Sequence, residues 1–572
     1  MAAFLPAPEG KTKVIVATNI AESSVTIDDV SVVIDSCKVK VTHYSDATGL
    51  SHNEVMWTGR MNLEQRRGRA GRTRPGSCYR LCTKSRFEGG LNDEVPPELT
   101  RAPLIDCALL IKSLDLGDMR AVLLNCLDPP APHAISRAIA ELRFIRAVDD
   151  SENLTPLGSL LARMPISPNI GLALLMGHWL FRLGDAMATI CAAMSFDEPF
   201  STDKTGGYLP WSISDKYKGR HKNSDHYLLG MVHQEYARLH DIMGPQAAHS
   251  FCRAEGLHPV IMQQVREATE QLRGILSSPA LGSMPTDGEA ADFSEMMDGP
   301  TESQPPRNHS AIRDWSPQEW QWGAIQLLLA VALPHLGVHQ EKRTCWVSED
   351  TLGAIHKGSV NCMGKASYIF PSPIFAFLEQ TKEGGWKPPR CRQLTNLPPA
   401  LTLLRPFATG SVALDAEGTH AVVSRWISVG PALADTVCLL LVLRTHLEDV
   451  LVRLAASMLE GAAVDVAQQH GDLLALMREL LNQNTLRFRE SGAASTAASP
   501  LSGSGGSLRP LVQRSPSGLS SGSGKSWSPA SKGKGWGSPV WGTGWGSGGG
   551  GGSSFGNASW PVKACKGGKK GG

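Results

Sequence analysis

The composition changes abruptly near residue 491, and this change limits which part of the chain can fold. The last 82 of the 572 residues contain 23 Gly, five Trp and nine Lys or Arg, but no Asp or Glu. Because such a segment has few aliphatic side chains with which to build a core, we expect residues 491–572 to be a disordered tail. The other 490 residues carry 47 basic and 54 acidic side chains, a net charge of −7, and must contain every folded domain.

The sequence also argues against several classes of protein. The most apolar stretch, residues 172–194, is interrupted by His178, Arg182 and Asp185, which disfavours a transmembrane span. The N-terminus has neither a basic start nor a long apolar run, which disfavours a signal peptide. Twelve scattered Cys are too sparse for a disulfide scaffold and lack paired zinc-ligand spacing. We therefore expect reduced thiols, no metal, no membrane partner, and a location in the nucleus or cytoplasm.

The first 90 residues alternate short apolar runs with polar loops, a pattern typical of an α/β fold. Residues 14–17 and 30–34 are β-branched and bounded by turn signals, so they predict two buried parallel strands. Residues 19–24 and 61–70 predict helices, and residues 77–82 predict a further strand.

Residues 91–280 and 436–490 are mostly helical by the spacing of their apolar side chains. In the first of these segments the predicted helices are residues 106–116, 134–145, 170–194 and 260–276. Residues 281–312 are rich in Pro, Asp, Glu, Ser and Met without any period, which indicates a flexible linker.

Residues 313–435 predict a helix followed by a small β-barrel. Apolar spacing places the helix at residues 318–333. Short β-like runs follow at residues 343–347, 367–378 and 422–427, a strand length that suits a barrel.

Residues 65–72 (QRRGRAGR) carry a cluster of arginines. Arg66, Arg69 and Arg72 are spaced by three, so a helix places them near one face. Guanidiniums cannot be buried unpaired, and their planar fork fits phosphate oxygens, so the cluster predicts an anion site. A solvated basic helix is the alternative. Gly68 and Gly71 weaken that alternative, because Gly lowers helix stability by about 1 kcal/mol and needs a reason.

Residues 17–28 (ATNIAESSVTID) follow a predicted strand. Open α/β sheets bind ligands beyond the carboxyl ends of their strands, so the hydroxyls and amide of this segment lie at the edge where ligands bind. An ordinary helix-capping loop is the alternative, since Ser, Thr and Asn are common caps.

Taken together, residues 17–28 and residues 62–72 (NLEQRRGRAGR) resemble motifs V and VI of the DEAH/DExH-box RNA helicases. Residues 154–168 resemble the helicase-associated region of that family. Residues 355–361 (IHKGSVN) and 368–377 resemble its OB-fold. Residues 74–82 (RPGSCYRLC) and 355–361, with the Gly-rich tail, resemble the RNA helicase A (maleless) branch, although that branch's Arg-Gly-Gly repeats are absent.

The resemblance implies a multidomain protein of α/β, α and β parts. Its expected domains are a partial second RecA-like domain with a parallel sheet (1–90), a winged helix (91–165), a helical bundle (166–280), the linker (281–312), an OB-fold (313–435), a helical extension (436–490) and the tail (491–572). Residues 45–60 lie where the family carries a β-hairpin that helps to separate strands.

The resemblance also implies a nucleotide site that uses ATP and Mg²⁺. Arg69 and Arg72 match the arginine fingers, which would stabilise charge on the γ-phosphate. Gln65 matches the glutamine that helps to position the phosphate and the attacking water. Thr26 and Asp28 match motif V positions near the nucleotide.

RNA, single-stranded or structured, is the implied partner, with DNA as an alternative and protein partners expected through the accessory domains. Thr18 and Asn19 match positions near the RNA backbone. His356, Lys357 and Ser359 match an OB-fold loop that touches RNA.

One departure from the family pattern decides what this chain can do alone. ATP hydrolysis needs a Walker A lysine and a DEAH carboxylate, and the sequence contains neither. Gly10-Lys11-Thr12 resembles a Walker A ending, but Leu5 stands where a glycine is required. The chain looks like the C-terminal half of such a helicase, beginning just before motif V. The alternative is a non-catalytic module that binds RNA or a partner protein.

The tail offers a second surface for RNA. The tetrapeptide Gly-Trp-Gly-Ser occurs at residues 535–538 and 544–547, with Lys525, Lys532 and Lys534 nearby. Trp can stack on unpaired bases and Lys can neutralise phosphates, which predicts sequence-tolerant binding of single strands. A solvated spacer, or self-association through Trp, is the alternative.

Overall fold

The computed structural model describes residues 5, 10–23, 27–45, 50–73, 75–200, 222–278, 317–362, 372–381, 388–407, 412–415, 418–430, 434–460 and 469–482. Thr26, the predicted linker and the predicted tail lie outside the described residues, so those predictions stand untested.

The N-terminal region contains a short helix α1 (Ile20–Ser23) and a strand β1 (Val32–Asp35). Strand β1 pairs in parallel with a later strand β4 (Ser77–Arg80), as expected for an α/β fold. Strands β2 (Lys38–Ser45) and β3 (Leu50–Trp57) form an antiparallel hairpin where the helicase hairpin was expected.

The strand predicted at residues 14–17 is wrong. Those residues are described and form no strand, and Val14 and Val16 are 81% and 95% exposed. A parallel strand needs a neighbour for its backbone groups, and β1 pairs with β4 instead. The prediction that β1 is buried is wrong as well, because Ile34 is 71% exposed.

Helix α2 (Arg60–Arg67) continues into a 3₁₀ turn (Gly68–Gly71), so the predicted helix at 61–70 changes its winding at its first glycine. Its apolar face buries Leu63 against Cys37 and Leu91. This small cluster is the main group of buried apolar side chains that pack together among the described residues between 10 and 91.

Ten helices lie in the described residues between 84 and 276, which are residues 84–200 and 222–276. They are α3 (Lys84–Gly89), α4 (Ile105–Ser113), α5 (Met119–Leu124), α6 (Pro132–Phe144), α7 (Pro156–Leu161), α8 (Pro168–Phe181), α9 (Gly184–Met194), α10 (Asp225–Met243), α11 (Pro245–Glu255) and α12 (Pro259–Leu276). The single helix predicted at 170–194 is two helices. Arg182 takes a left-handed backbone conformation (φ 53°), which ends α8 one turn before α9 begins.

A closed five-stranded barrel follows helix α13 (Glu319–Ala332). Its strands are β5 (His335–Glu341), β6 (Thr344–Trp346), β7 (Leu352–Ile355), β8 (Ile374–Thr381) and β9 (Arg390–Asn396), closed in the order β5-β6-β7-β9-β8. The run predicted at 422–427 does not join the barrel. It contributes instead to a separate antiparallel sheet of β10 (Val412–Leu414), β11 (Ala421–Val423) and β12 (Ile427–Val429).

A short helix α14 (Pro399–Leu404) and a long helix α15 (Ala434–Leu459) complete the described fold, with a further helix at residues 469–482. One apolar cluster extends from Leu104 to Leu481 and joins the helices, part of the barrel and α15. Strand β3 of the hairpin packs on barrel strand β8, which connects the N-terminal region to this larger core. Among the described residues, no helix combines the length and apolarity that crossing a membrane requires.

Candidate nucleotide and nucleic-acid site

The two helicase-like segments contact each other through Glu22. Its Oε1 accepts a hydrogen bond from Asn62 Nδ2 at 2.6 Å, and its Oε2 accepts one from Arg66 Nε at 2.9 Å. Glu22 lies on α1 in the first segment, whereas Asn62 and Arg66 lie on α2 in the second. One buried carboxylate therefore fixes the two segments, forty residues apart, against each other.

Arg66 is an internal cation. Its Nη1 donates to Asp35 Oδ1 at 3.1 Å and to the Lys38 carbonyl at 3.3 Å, and its side chain is only 14% exposed. Burial works against the charged guanidinium, but hydrogen bonds and charge from Glu22 and Asp35 outweigh it and raise the pKa of Arg66. The expectation that all three arginines face one anion is therefore wrong for Arg66.

Glu64 holds the outer side of α2. It forms ion pairs with Arg67, at 2.7 Å, and with Arg80 on β4. The guanidinium of Arg80 also lies 4.2 Å from the ring centroid of Phe87, a favourable cation–π geometry. These contacts connect the helix to the strand that pairs with β1.

Arg69 differs from Arg66 in that its charge is not satisfied within the protein. Its Nε and Nη1 atoms are buried and have no hydrogen-bond partner among the described residues. The side chain lies on the 3₁₀ turn between Gly68 and Gly71, and a Cβ atom added at either glycine would meet nothing within 4 Å. The surface beside Arg69 is therefore sterically open, and its guanidinium has donors left for an anion.

The other predicted nucleotide residues lie around this turn. Gln65 and Arg72 are exposed, on α2 and directly after the 3₁₀ turn. Asp28 is exposed, and its carbonyl accepts a hydrogen bond from Thr73 Oγ1 at 2.7 Å. That bond brings the end of the first segment to the residue after Arg72. Thr26 lies outside the described residues.

Thr18 and Asn19 are exposed at the start of α1, where their groups also cap the helix. Thr18 Oγ1 accepts from the Ile20 amide at 3.4 Å, and the Asn19 carbonyl accepts from the Glu22 amide at 2.9 Å. Capping, the alternative reading of this segment, is thus present. It leaves the Asn19 side chain exposed to solvent.

The three predicted residues of the barrel loop are placed differently from one another. His356 is buried, and its Nδ1 accepts from the Gly358 amide at 3.1 Å. Ser359 is also buried, and its Oγ accepts from the Asn361 amide at 3.1 Å. Lys357 is exposed. Two of the residues shape the loop, and Lys357 is the one that presents charge to solvent.

Asp225, at the start of α10, anchors that loop and was missed by sequence reasoning. Its carboxylate accepts from the Val360 amide at 2.7 Å and from the Leu394 amide at 2.8 Å. Burial raises the pKa of Asp225 to about 7, against these hydrogen bonds, which favour the ionised form. The contact spans more than 130 residues, so only its position as an acidic residue in the first turn of a helix could have singled Asp225 out.

Comparison with known families identifies two segments of the chain. Residues 1–74 match the helicase conserved C-terminal domain, and residues 138–166 match the helicase-associated domain (HA2), winged-helix. Two segments of the chain are therefore similar to C-terminal domains of helicases. The matched residues include both segments that meet at Glu22, the second half of α6 and all of α7.

Individual DExH-box proteins are also similar to this chain in sequence. The chain is 36% identical over 296 residues to the DExH-box ATP-dependent RNA helicase DExH4, chloroplastic, of Arabidopsis thaliana, covering 49% of this chain and 21% of that protein. It is 44% identical over 197 residues to the human ATP-dependent DNA/RNA helicase DHX36, covering 34% and 19%. The chain thus spans about a fifth of the length of the curated relatives it matches.

Proposed function

We propose that this chain supplies the C-terminal half of an ATP-dependent RNA helicase, in which Arg69 and Arg72 act on the nucleotide. The observation that carries the proposal is the unsatisfied guanidinium of Arg69 beside an open surface, at the turn where the two helicase-like segments meet. Arg66, one turn earlier, is neutralised internally and holds that turn in place.

The residues present fit the anionic part of ATP and leave the metal to another domain. When bound, ATP with Mg²⁺ supplies the phosphoryl group that is transferred to water. Arg69 and Arg72 would donate hydrogen bonds to the γ-phosphate, and Gln65 would orient water. Among the described residues there is no group of three or more His, Cys, Asp or Glu that could hold a metal ion. The Mg²⁺ carboxylate and the phosphate-binding lysine would come from a first RecA-like domain.

Several finer assignments belong to the same proposal. We assign Thr18 and Asn19 to the RNA backbone and the five-stranded barrel to an OB-fold, because its closure and strand number suit that fold. Membership in the RNA helicase A branch and a location in the nucleus or cytoplasm remain predictions from the sequence.

ATP hydrolysis tests the proposal. The purified chain alone should release phosphate far below about 1 per second, the lower end of the usual enzyme range, with or without RNA. Addition of a first RecA-like domain from a DExH-box relative should restore RNA-stimulated turnover. Arg69→Ala should then reduce turnover by about 10³-fold, the scale of arginine-finger effects. Arg67→Ala, a neighbouring exposed arginine paired with Glu64, is the matched control. Equal turnover in the two variants would reject the assignment.

A non-catalytic RNA-binding module is the second candidate, favoured by the exposed Lys357 on an anchored loop and by the basic tail. Its test is anisotropy of labelled oligouridine in a salt series. Removal of residues 491–572 should flatten the salt dependence, since each phosphate neutralised on a single strand adds about −0.7 to the slope. Lys357→Ala should weaken the binding that remains, and full retention in both variants would exclude RNA contact at these surfaces.

A further inference from the structure

A cavity of about 1540 Å³ lies on the side of the fold where α6, the start of α8, the barrel and α15 meet. The residues already assigned to the nucleotide and to RNA, namely Gln65, Arg69, Arg72, Asp28, Thr18, Asn19 and the barrel loop, do not line it. Its lining holds six Arg against four Asp or Glu. The cavity is therefore cationic and separate from the proposed helicase site.

Arg405 is the most deeply buried of these arginines. It follows α14 directly and is 6% exposed. Its Nη2 donates to the Leu333 carbonyl at 3.0 Å, but its Nε is buried and has no hydrogen-bond partner in the part of the chain that the structure describes. Burial, with a smaller contribution from the charge of Arg444, lowers the pKa of Arg405 to about 10. A guanidinium in this position is desolvated without a compensating anion, which is strongly unfavourable.

Two acidic groups of the cavity lining are already engaged. Glu448 accepts from Arg444 Nε at 3.2 Å and from the Phe407 amide at 2.7 Å. Glu141, on α6, accepts from Arg137 Nε at 3.0 Å. These pairs neutralise Arg444 and Arg137 and leave the charge of Arg405 uncompensated.

His335 adds no positive charge at neutral pH. Burial lowers its pKa to about 3, and the charges of Arg137 and Arg405 act in the same direction. The imidazole can therefore serve the cavity as a neutral hydrogen-bonding group.

The backbone around the cavity carries an unusual amount of strain. Four of its lining residues have positive φ although none is glycine: Arg146 (56°), Phe407 (53°), Ser424 (53°) and Arg425 (70°). Such conformations are unfavourable by about 1–3 kcal/mol each and tend to collect at ligand sites. This observation is independent of the charge on Arg405.

We propose that this cavity binds a small phosphate-bearing anion whose phosphate sits on Arg405. A phosphate monoester carries up to two negative charges and accepts several hydrogen bonds, so it can engage the guanidinium of Arg405 and compensate its charge. A phosphate offers more acceptor oxygens and more charge to a guanidinium than a carboxylate does, which favours phosphate. The cavity volume leaves space for the remainder of a small molecule. The proposal does not depend on ATP or RNA binding at the helicase-like segments.

Calorimetric titration of the full chain with inorganic pyrophosphate tests the proposal. Arg405→Gln should weaken binding at least 10-fold. Arg253→Gln, which removes an exposed arginine on α11 outside the cavity, should leave binding unchanged. The same titration in Arg69→Ala separates the two sites, because that variant should keep the Arg405-dependent binding. Equal affinity of the wild type and Arg405→Gln would overturn the proposal.

Thermal unfolding provides a second measurement if Arg405→Gln folds poorly. Pyrophosphate should raise the melting temperature of the wild type, and Arg405→Lys, which keeps the charge but loses the planar fork, should reduce that rise by half or more. A full rise in Arg405→Lys would contradict the phosphate geometry. Displacement of pyrophosphate from the Arg69→Ala variant by oligouridine would show that the cavity belongs to an RNA surface, which would overturn the small-molecule assignment.

Discussion

Residues 10–91 and residues 104–481 are held together by different kinds of contact. Among its described residues the first region buries five apolar side chains, three of them in one cluster, and leaves others open, with Val16 95% and Ile34 71% exposed. The second region shares one continuous apolar core, and helix α8 alone buries 12 of its 14 residues. Hydrophobic burial therefore stabilises the second region far more than the first.

Where little apolar surface is buried, contacts between charged side chains hold the structure together. In the first region Arg66, Glu22 and Asp35 form a partly buried cluster that positions the helicase-like segments. Removing one member of such a cluster leaves the others uncompensated, whereas a large apolar core tolerates the loss of a surface ion pair. The candidate nucleotide site therefore depends on a few charged residues and not on the main core of the protein.

Amide hydrogen exchange should show the largest difference between the two regions. We expect amides in β1 and β4 to exchange at least about 100-fold faster than amides in α8 and α9, because local opening follows the amount of buried apolar surface. Mass spectrometry of peptides from the intact chain measures both regions in one sample. Equal protection in the two regions would contradict the comparison.

Acid should weaken the second region through its buried histidines. Burial lowers the pKa values of His226 and His233 to about 3, whereas the unfolded chain titrates near 6.5. The folded state thus binds fewer protons, so stability present above pH 6.5 is lost as the pH falls. Each histidine should lower the free energy of unfolding by about 2 kcal/mol between pH 6.5 and 5.

Asp225 opposes this trend, because its raised pKa makes the folded state bind a proton that the unfolded chain has released. The contribution of one histidine is therefore measured as the difference in pH-dependent stability between the wild type and a variant. His233→Gln should lose about 2 kcal/mol less stability than the wild type between pH 6.5 and 5 in denaturant titrations. An identical pH dependence in both proteins would exclude His233 as a source of acid sensitivity.

Local periodicity predicted much of the second region. The helices at residues 106–116, 134–145 and 260–276 are confirmed within a few residues, because their apolar spacing is fixed by the core they face. The break between α8 and α9 was missed. Residues 170–194 are apolar on every side of the helix, so no change in their periodicity marks the break. The β-run at 422–427 is real, but which sheet it joins depends on contacts that periodicity does not encode.

The candidate site was predicted in part. Motif spacing identified the arginines, but it could not tell Arg66, which has internal carboxylate partners, from Arg69, which has none for two of its nitrogens. Those partners, Glu22 and Asp35, lie about 30 to 45 positions away in the chain. Equal spacing in the sequence therefore conceals unequal electrostatic environments.

Substitution of Gly68 should change the stability of the first region and its proposed activity in opposite directions. Its backbone is right-handed and a Cβ would meet nothing within 4 Å, so Gly68→Ala should raise stability by about 0.5–1 kcal/mol. The added methyl should nevertheless reduce turnover in the complemented helicase, if the nucleotide approaches this turn. Gly76→Ala is the contrasting control, because its Cβ would overlap the Ala70 carbonyl and should destabilise the region. A Gly68→Ala protein with unchanged turnover would place the nucleotide elsewhere.

The most direct test of the account compares Arg66→Ala with Arg67→Ala by hydrogen exchange in peptides covering α1 and α2. Arg66→Ala leaves two buried carboxylates without their cation and should destabilise the region by about 3–5 kcal/mol, with faster exchange in both helices together. Arg67→Ala removes one exposed pair and should change stability by about 1 kcal/mol or less. If both variants behave alike, or if α1 keeps its protection in Arg66→Ala, the buried charge cluster does not hold the two segments together.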